Sequence, residues 1–269
     1  MMNEIETITS VHNPRIRQLL LLQQKSAERR KAGLFVVEGR RELQHCINAG
    51  FEIDTVFYCE LGVGSEELGV TSGHAQYVKV SPSLYERIAY RGSTEGVIAL
   101  VRSRSLTLAD LQVGEAPLIM VLESVEKPGN LGAVLRSADA AGVDAVIVCD
   151  PLTDVYNPNL IRSSIGAVFT VPCVACSSAE CIAWLKDKGI SILTAQLQDS
   201  SLYYDTAMTG ATAIVMGTEA TGLTDAWRQA ADAHIRIPML GRLDSLNVSV
   251  SAAILLYEAV RQRTLNIEN

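Results

Sequence analysis

"LIMVLESVEKPGNLGAVLRSADAAGVDAVIVCD" spans Leu118–Asp150. Its ends, "LIMVLE" and "AVIVCD", are continuous apolar runs, and the stretch between them carries apolar and small residues at helical spacing from Leu131 to Ala141. An uninterrupted apolar strand is one buried on both faces, and two such strands joined through a helix lie parallel. The alternation then continues. Strands are expected at "AVFTVP", "ISILTA", "TAIVMG" and "HIRIP", with helices at Pro158–Ile165, Ala179–Lys188, Thr224–Ala230 and Ser249–Arg261. The pattern predicts an α/β fold whose C-terminal part is a parallel sheet with helices on both faces. Ligands of such sheets bind beyond the carboxyl ends of the strands, so the loops there are the ones to read.

Towards the N-terminus the alternation is shorter and looser. A Leu-rich helix from Arg15 to Arg30 precedes the strand "LFVVEG", and a helix from Arg40 to Ala49 precedes "IDTVFYC". "YVKV", a helix at "SPSLYERIA" capped by Ser81 or Ser83, and the strand "GVIALV" follow. The pattern lapses in "RSRSLTLADLQVGEAP", which reads as a linker. The expected division is therefore a smaller α/β domain at 1–103, a linker at 104–116 and a larger domain at 117–269. "LGVGSEELG" holds a G-x-G but lacks the third glycine of a dinucleotide fingerprint.

The chain has 269 residues, 48% of them hydrophobic and 20% charged, which is the composition of a folded protein with real cores. No apolar run reaches the roughly 18 residues that span a bilayer, and "MMNEIETITS" has neither a basic flank nor an apolar segment, so a cytoplasmic protein is expected. Six cysteines at irregular spacing read as reduced thiols. Cys173 and Cys176 form a C-x-x-C with no second pair and no nearby His, so no metal is expected. The net charge is −7, but it is unevenly spread: residues 1–50 hold eight Lys/Arg against five acids. The basic end, "NPRIRQLLLLQQKSAERRKAG", is either a solvated amphipathic helix or a local face for nucleic acid on an acidic protein.

Three loops follow predicted strands of the larger domain. In the first, Gly129 and Gly132 permit a tight turn into a helix, Asn130 can cap or touch a ligand, and Arg136 is the lone cation on a face of small residues. The loop lacks the G-K-[ST] ending of a phosphate-binding P-loop. The second, "GTEATGL", sets Glu219 between Gly217 and Gly222; it can be a ligand loop or a turn whose acid favours the next helix's dipole. The third, "IPMLGRLDSLNVS", runs from Ile237 to Ser249 and ends in Ser and Asn at a helix start, where capping alone would account for them.

Taken together, N-L-G-A-x-x-R-[ST]-A-D-A-A-G, G-x-E-x-x-G-L and I-P-M-x-G-x-x-x-S-L-N-V-S resemble the three signature motifs of the SpoU/TrmH family of SAM-dependent RNA methyltransferases (SPOUT class), over residues 117–262. The N-terminal half more loosely resembles the L30e-like substrate-binding domain of such enzymes, through "HNPRIRQL" and "FVVEGRREL". The resemblance implies a C-terminal segment threaded through a deep trefoil knot, S-adenosyl-L-methionine as cofactor, and a homodimer formed through the methyltransferase domain. It implies cofactor contacts at Gly217, Thr218, Ile237, Met239, Leu246 and Asn247. It assigns the catalytic set to Arg136, Asn130, Glu219, Ser245 and Asn247. Lys127 departs from the acidic residue common in relatives at that place.

The activity so implied is methylation of a ribose 2′-hydroxyl, in ribosomal RNA before transfer RNA. The RNA would be gripped at Arg15, Arg17, Arg29, Arg30, Arg40 and Arg41. A tRNA enzyme is the second reading, and a catalytically silent RNA-binding or ribosome-assembly factor the reading from another class. The intact polar set speaks against silence.

Overall fold

The structure, a computed structural model, describes residues 7–59, 75–90, 95–218 and 221–267. The chain divides into two units: Met1–Arg104 with Tyr156–Thr170, and Ser105–Val155 with Val171–Asn269. In the first unit, α1 (Pro14–Gln24) starts at Asn13, whose side chain accepts the Arg15 amide at 2.9 Å. The single helix expected from Arg15 to Arg30 is broken, because Lys25 is extended and α2 (Ser26–Ala32) starts afresh. Arg29 supplies the reason. Its side chain is buried and turns back so that the guanidinium donates to the Leu22 carbonyl at 2.7 Å and to that of Gln23 at 3.4 Å. These are carbonyls that the end of α1 leaves without helical partners. The expectation that Arg29 faces RNA is thereby corrected: it closes a turn inside the unit.

The remaining elements fall close to where the sequence places them: β1 (Leu34–Glu38), α3 (Arg40–Asn48), β2 (Ile53–Tyr58), β3 (Gln76–Lys79), α4 (Pro82–Ile88) and β4 (Val97–Arg102). Ser81 caps α4 by accepting the Leu84 amide at 3.2 Å. The four strands form one sheet in the order β1-β4-β2-β3, parallel only between β2 and β3. The G-x-G of "LGVGSEELG" lies outside the described residues.

The second unit opens with β5 (Leu118–Glu123), α5 (Pro128–Ala140) and β6 (Ala145–Cys149). The chain then returns to the first unit as α6 (Pro158–Ser164) and α7 (Ala167–Thr170). Here the strand expected at "AVFTVP" is instead the short helix α7. Ile165 and Gly166, both at positive φ, end α6 and turn the chain, and a Cβ on Gly166 would meet the ring of His45. Tyr156 stacks on Phe35 at 4.2 Å, and Phe169 packs on Phe35 and Phe51 at 5.9 and 5.3 Å. Burial among these rings overrides the strand propensity of a four-residue apolar run.

The second unit resumes with β7 (Cys173–Cys176), α8 (Ser178–Asp187), β8 (Ser191–Ala195), β9 (Ser201–Leu202), β10 (Thr212–Met216), α9 (Asp225–Ala230), β11 (Ala233–Arg236) and α10 (Val248–Ile267). Seven strands, all parallel, lie in the order β7-β6-β5-β10-β8-β11-β9. One face of β5, β6 and β10 buries Ile119, Val121, Ala145, Ile147, Ala213 and Val215 with Cys181 and Leu185 of α8 and Trp227 of α9. Leu108, Leu111 and Val113, from the stretch read as a linker, pack on this same core. Cys173 does not pair with Cys176; the Sγ atoms of Cys149, Cys176 and Cys181 lie within 4.8 Å of one another. Among the described residues, no helix is long and apolar enough to cross a membrane.

The end of α10 is tied to the start of the sheet by Arg263. Its guanidinium donates to the carbonyls of Met208 (2.9 Å), Ala116 (2.7 Å), Pro117 (3.2 Å) and Gly210 (2.7 Å), which precede β5 and β10. Arg263→Ala should destabilise the second unit by about 2–3 kcal/mol, the magnitude of hydrogen bonds from a charged donor. Arg263→Lys should recover little of it, since an ammonium cannot reproduce the planar fork. Denaturant midpoints of the three proteins measure both effects; equal midpoints would refute the clamp.

Candidate functional site

Because all seven strands run the same way, the loops after β8, β10 and β11 emerge at one edge of the sheet, and these three strands are neighbours. Between them lies a cavity of about 340 Å³, within the roughly 300–1,000 Å³ range of small-molecule sites. Its walls come from Ala195–Gln198 after β8, Met216–Thr218 and Thr221–Leu223 after β10, Ile235–Ile237 with Met239 at β11, and Asp244–Leu246 with one side of α10. Six of the sequence-predicted residues meet here: Gly217, Thr218, Ile237, Met239, Ser245 and Leu246.

Gly217 is where a side chain has no room. A Cβ there would fall onto the backbone of Gly222 and Leu223, so the loop closes back on itself at van der Waals distance. Thr218 and Gly222 exchange backbone hydrogen bonds at 3.3 and 3.0 Å, and the Thr221 amide donates to the Thr218 hydroxyl at 3.0 Å. Gly222 is at φ +68°, which favours glycine. Glu219 lies outside the described residues.

The loop after β5 sits differently from the other two signature loops. No residue of it lines the cavity; the stretch after β8, in which the sequence shows no signal, takes that place. Asn130 is nonetheless brought to the third loop, for the Asn247 side-chain Nδ2 donates to Asn130 Oδ1 at 3.2 Å. Asn247 also begins α10, its Oδ1 accepting the Ser249 amide at 3.0 Å and the Ser249 hydroxyl at 2.6 Å. It therefore caps a helix and joins two signature loops at once. Arg136 is exposed on α5, is not among the cavity-lining residues, and forms no hydrogen bond or ion pair with any described residue.

Behind the cavity, Glu123 ends β5 and is 2% exposed. Its carboxylate accepts the Thr224 amide at 2.9 Å and hydroxyl at 2.8 Å, and faces the Ser178 hydroxyl at 3.1 Å. Ser178 in turn accepts the Trp227 indole N–H at 3.0 Å and lies 2.6 Å from Asp150. This network pins the start of α9, and with it the exit of the Gly217–Leu223 loop. In the sequence, Glu123 is only a strand end; its one signal is a carboxylate closing an otherwise wholly apolar run.

In the first unit, Arg15, Arg17, Arg30, Arg40 and Arg41 are exposed. Arg17 lies 3.5 Å from the His12 ring, Arg40 donates to the Glu95 carbonyl at 3.3 Å, and Arg41 pairs with Glu42 at 2.9 Å. Arg15 and Arg17 on α1 and Arg30 on α2 are thus exposed cations, whereas Arg40 and Arg41 share their charge with acids or carbonyls of the unit.

The model of the SpoU rRNA methylase family matches residues 117–257, and that of the MRM3-like substrate-binding domain matches residues 13–99. A 23S rRNA (uridine(2479)-2′-O)-methyltransferase of Streptomyces viridochromogenes is 33% identical over 267 residues, covering 95% of this chain and 92% of that protein. A 23S rRNA (guanosine(2553)-2′-O)-methyltransferase of Bacillus subtilis is 27% identical over 94% of this chain and 98% of its own. The crystal structure of an AdoMet-bound rRNA methyltransferase from Sinorhizobium meliloti superposes with a TM-score of 0.88 at 28% identity, covering 95% of this chain and 97% of that one.

Glu123→Gln tests the anchoring of the loop. The amide presents N–H groups to donors that need an acceptor, so stability should fall by about 1–3 kcal/mol. Hydrogen exchange at the Gly222 amide should rise with it. Unchanged protection at Gly222 would show that the loop holds without Glu123.

Proposed function

Because the chain belongs to the SpoU rRNA methylase family, we propose that it methylates a ribose 2′-hydroxyl of ribosomal RNA with S-adenosyl-L-methionine as methyl donor. The observation that carries this reading is the extent of the likeness. It runs through both halves to enzymes named for 2′-O-methylation of 23S rRNA, so it covers the RNA-reading part as well as the chemistry.

The cavity fits such a donor. Its walls at Met216, Ile235, Ile237, Leu246 and Leu255 are apolar, and Gly217 lets backbone approach closely. When bound, S-adenosyl-L-methionine supplies a methyl group on a positively charged sulfur, and that charge disappears on transfer to oxygen. Gly217, Thr218, Ile237, Met239 and Leu246 would hold the donor, largely through turn backbone, while Asn247, which does not line the cavity, would fix the end of the third loop. By excluding water, the apolar walls favour a reaction that neutralises charge, and alignment of the hydroxyl supplies most of the remaining acceleration. Arg136 grips an RNA phosphate and stabilises the negative charge that grows on the attacking oxygen; a guanidinium is a poor base because it stays protonated. Asn130, Ser245, Asn247 and Glu219 complete the polar set, and the bond between Asn130 and Asn247 supports their acting together.

We assign residues 1–103 to an L30e-like RNA-binding domain, to whose unit 156–170 return, and 117–269 otherwise to the methyltransferase domain with its trefoil knot, the connecting 104–116 packing largely on the latter's core; the whole acts as a cytoplasmic homodimer. Exposed apolar surface supports the dimer: Leu240 and Leu243 are 97% and 79% exposed, and Val250 and Tyr257 on α10 are about half exposed.

Tritium transfer from labelled S-adenosyl-L-methionine to RNA of a strain lacking this gene tests the activity. Label recovered as a 2′-O-methyl nucleoside in rRNA is the expected result; label in tRNA, or none in RNA or ribosomal subunits, would overturn it. Arg136→Ala should lower transfer by about a hundredfold or more while cofactor affinity by calorimetry stays unchanged. Replacing Arg15, Arg17 and Arg30 together by Ala should weaken RNA binding and flatten its salt dependence. The slope should fall by about 0.7 for each phosphate of single-stranded RNA that the variant no longer neutralises. Cofactor affinity should not move. An unaltered salt slope would place the RNA elsewhere.

A further inference from the structure

Three cysteines from separate elements meet near the β7 edge of the larger sheet. Cys149 ends β6, Cys176 ends β7 and Cys181 lies at the start of α8, their Sγ atoms all within 4.8 Å of one another. Cys149 and Cys181 are fully buried, whereas Cys176 is partly exposed, so of the three it is the one that solvent reaches. Both buried thiols hydrogen-bond to its sulfur, which holds its pKa below the ordinary thiol value and favours the thiolate. The thiolate is the reactive form. A partly exposed thiolate beside a second thiol is the arrangement of reversible oxidation.

We infer that Cys176 is a peroxide-reactive site that closes a reversible disulfide with Cys181. Ser177 caps α8, its hydroxyl accepting the Glu180 amide at 3.2 Å, so Cys176 stands just before the cap and Cys181 is the fourth residue of the helix. Side chains at these two places pack on each other across a helix start, and a first turn has the freedom to bring two sulfurs to bonding distance. Cys149 is the poorer partner. It lies opposite Cys176 on the neighbouring parallel strand, where Cβ atoms stay about as far apart as the strands, roughly 4.8 Å. A disulfide asks for about 3.5–4.5 Å. In the first step the Cys176 sulfur attacks a peroxide oxygen: an S–O bond forms, the O–O bond breaks, and the peroxide's other half leaves as alcohol or water with a proton from solvent. The Cys181 sulfur then attacks the sulfenic acid so made. An S–S bond forms, the S–O bond breaks, and hydroxide departs as water with the Cys181 proton; a dithiol reverses the bond. Ser178, whose hydroxyl binds Asp150 and Glu123, lies within the ring so closed, which sets the modification beside the anchor of the Gly217–Leu223 loop.

Peptide mapping of the full chain tests this. The reduced protein is treated with hydrogen peroxide, its remaining thiols are capped with iodoacetamide in denaturant, and trypsin then separates two peptides. Ser137–Arg162 carries Cys149, and Ser163–Lys186 carries Cys173, Cys176 and Cys181. The expected product is Ser163–Lys186 with a single cap, on Cys173, and an internal link between Cys176 and Cys181 that dithiothreitol removes. Cys173→Ser should leave that link in place, and Cys176→Ser should abolish it. A link joining the two peptides would make Cys149 the partner and overturn the pairing. Cys176 carried to sulfinic or sulfonic acid with Cys181 still capped would overturn the disulfide, and caps on every thiol after excess peroxide would refute the site. Because the link is mapped on the parent chain, a variant that folds poorly cannot decide the outcome.

Discussion

The buried carboxylate of Glu123 constrains the second unit more than any other single group. A carboxylate taken out of water must be given donors, and this one receives the amide and hydroxyl of Thr224 and faces the hydroxyl of Ser178. Thr224 precedes α9 and Ser178 opens α8, so one charge fixes the starts of two helices against the end of β5. Trp227 extends the lock, its ring fully buried and its indole N–H on Ser178. The loop from Gly217 to Leu223 is thus held at its strand end by β10 and at its helix end by Glu123. It therefore closes over its own backbone instead of spreading into solvent.

The cavity follows from that closure and from strand order. β10 enters the sheet between β5 and β8, while β11 lies on the far side of β8. Loops that are distant in sequence, after residues 195, 216 and 236, therefore emerge side by side at one end of adjacent parallel strands. Arg228, Arg236 and Asp244 stand among the walls, but apolar side chains and turn backbone do most of the shaping. A site of this kind recognises a ligand by shape and by a few placed hydrogen bonds. It leaves the charged work to residues brought from elsewhere, such as the exposed Arg136.

Much of this was legible in the sequence because the signals were local. The β5–α5–β6 unit and the parallel sheet follow from uninterrupted apolar strands alternating with helices, and the three signature loops from glycines and polar residues at strand ends. What escaped was tertiary. Nothing local distinguishes Arg29 from its neighbour Arg30, yet one folds back onto the carbonyls of α1 and the other faces solvent. "AVFTVP" has the composition of a strand, but a run that short is decided by what it packs against, here the rings of Phe35 and Phe51. Gln196 and Gln198 look like any polar loop after a strand; only the position of β11 alongside gives them a wall to line.

The aromatic cluster also bears on how the two halves can be separated. Tyr156 and Phe169 belong by sequence to the larger half but complete the core around Phe35 and Phe51, with Arg104 stacked on Phe51 at 4.5 Å and accepting the Tyr156 hydroxyl at its carbonyl, 2.6 Å away. The chain passes from one unit to the other after residues 104, 155 and 170. Cutting at the stretch read as a linker would sever one of these passages and strip α6 and α7 of their partners, exposing two large rings. Aromatic side chains of this size bury roughly 150–250 Å² each, so a truncated chain would carry a new apolar patch of the kind that drives association. A loss of RNA binding in such a fragment would then reflect that patch as much as the missing arginines. Charge-removing substitutions on α1 and α2, which leave the cluster intact, isolate the arginines' contribution.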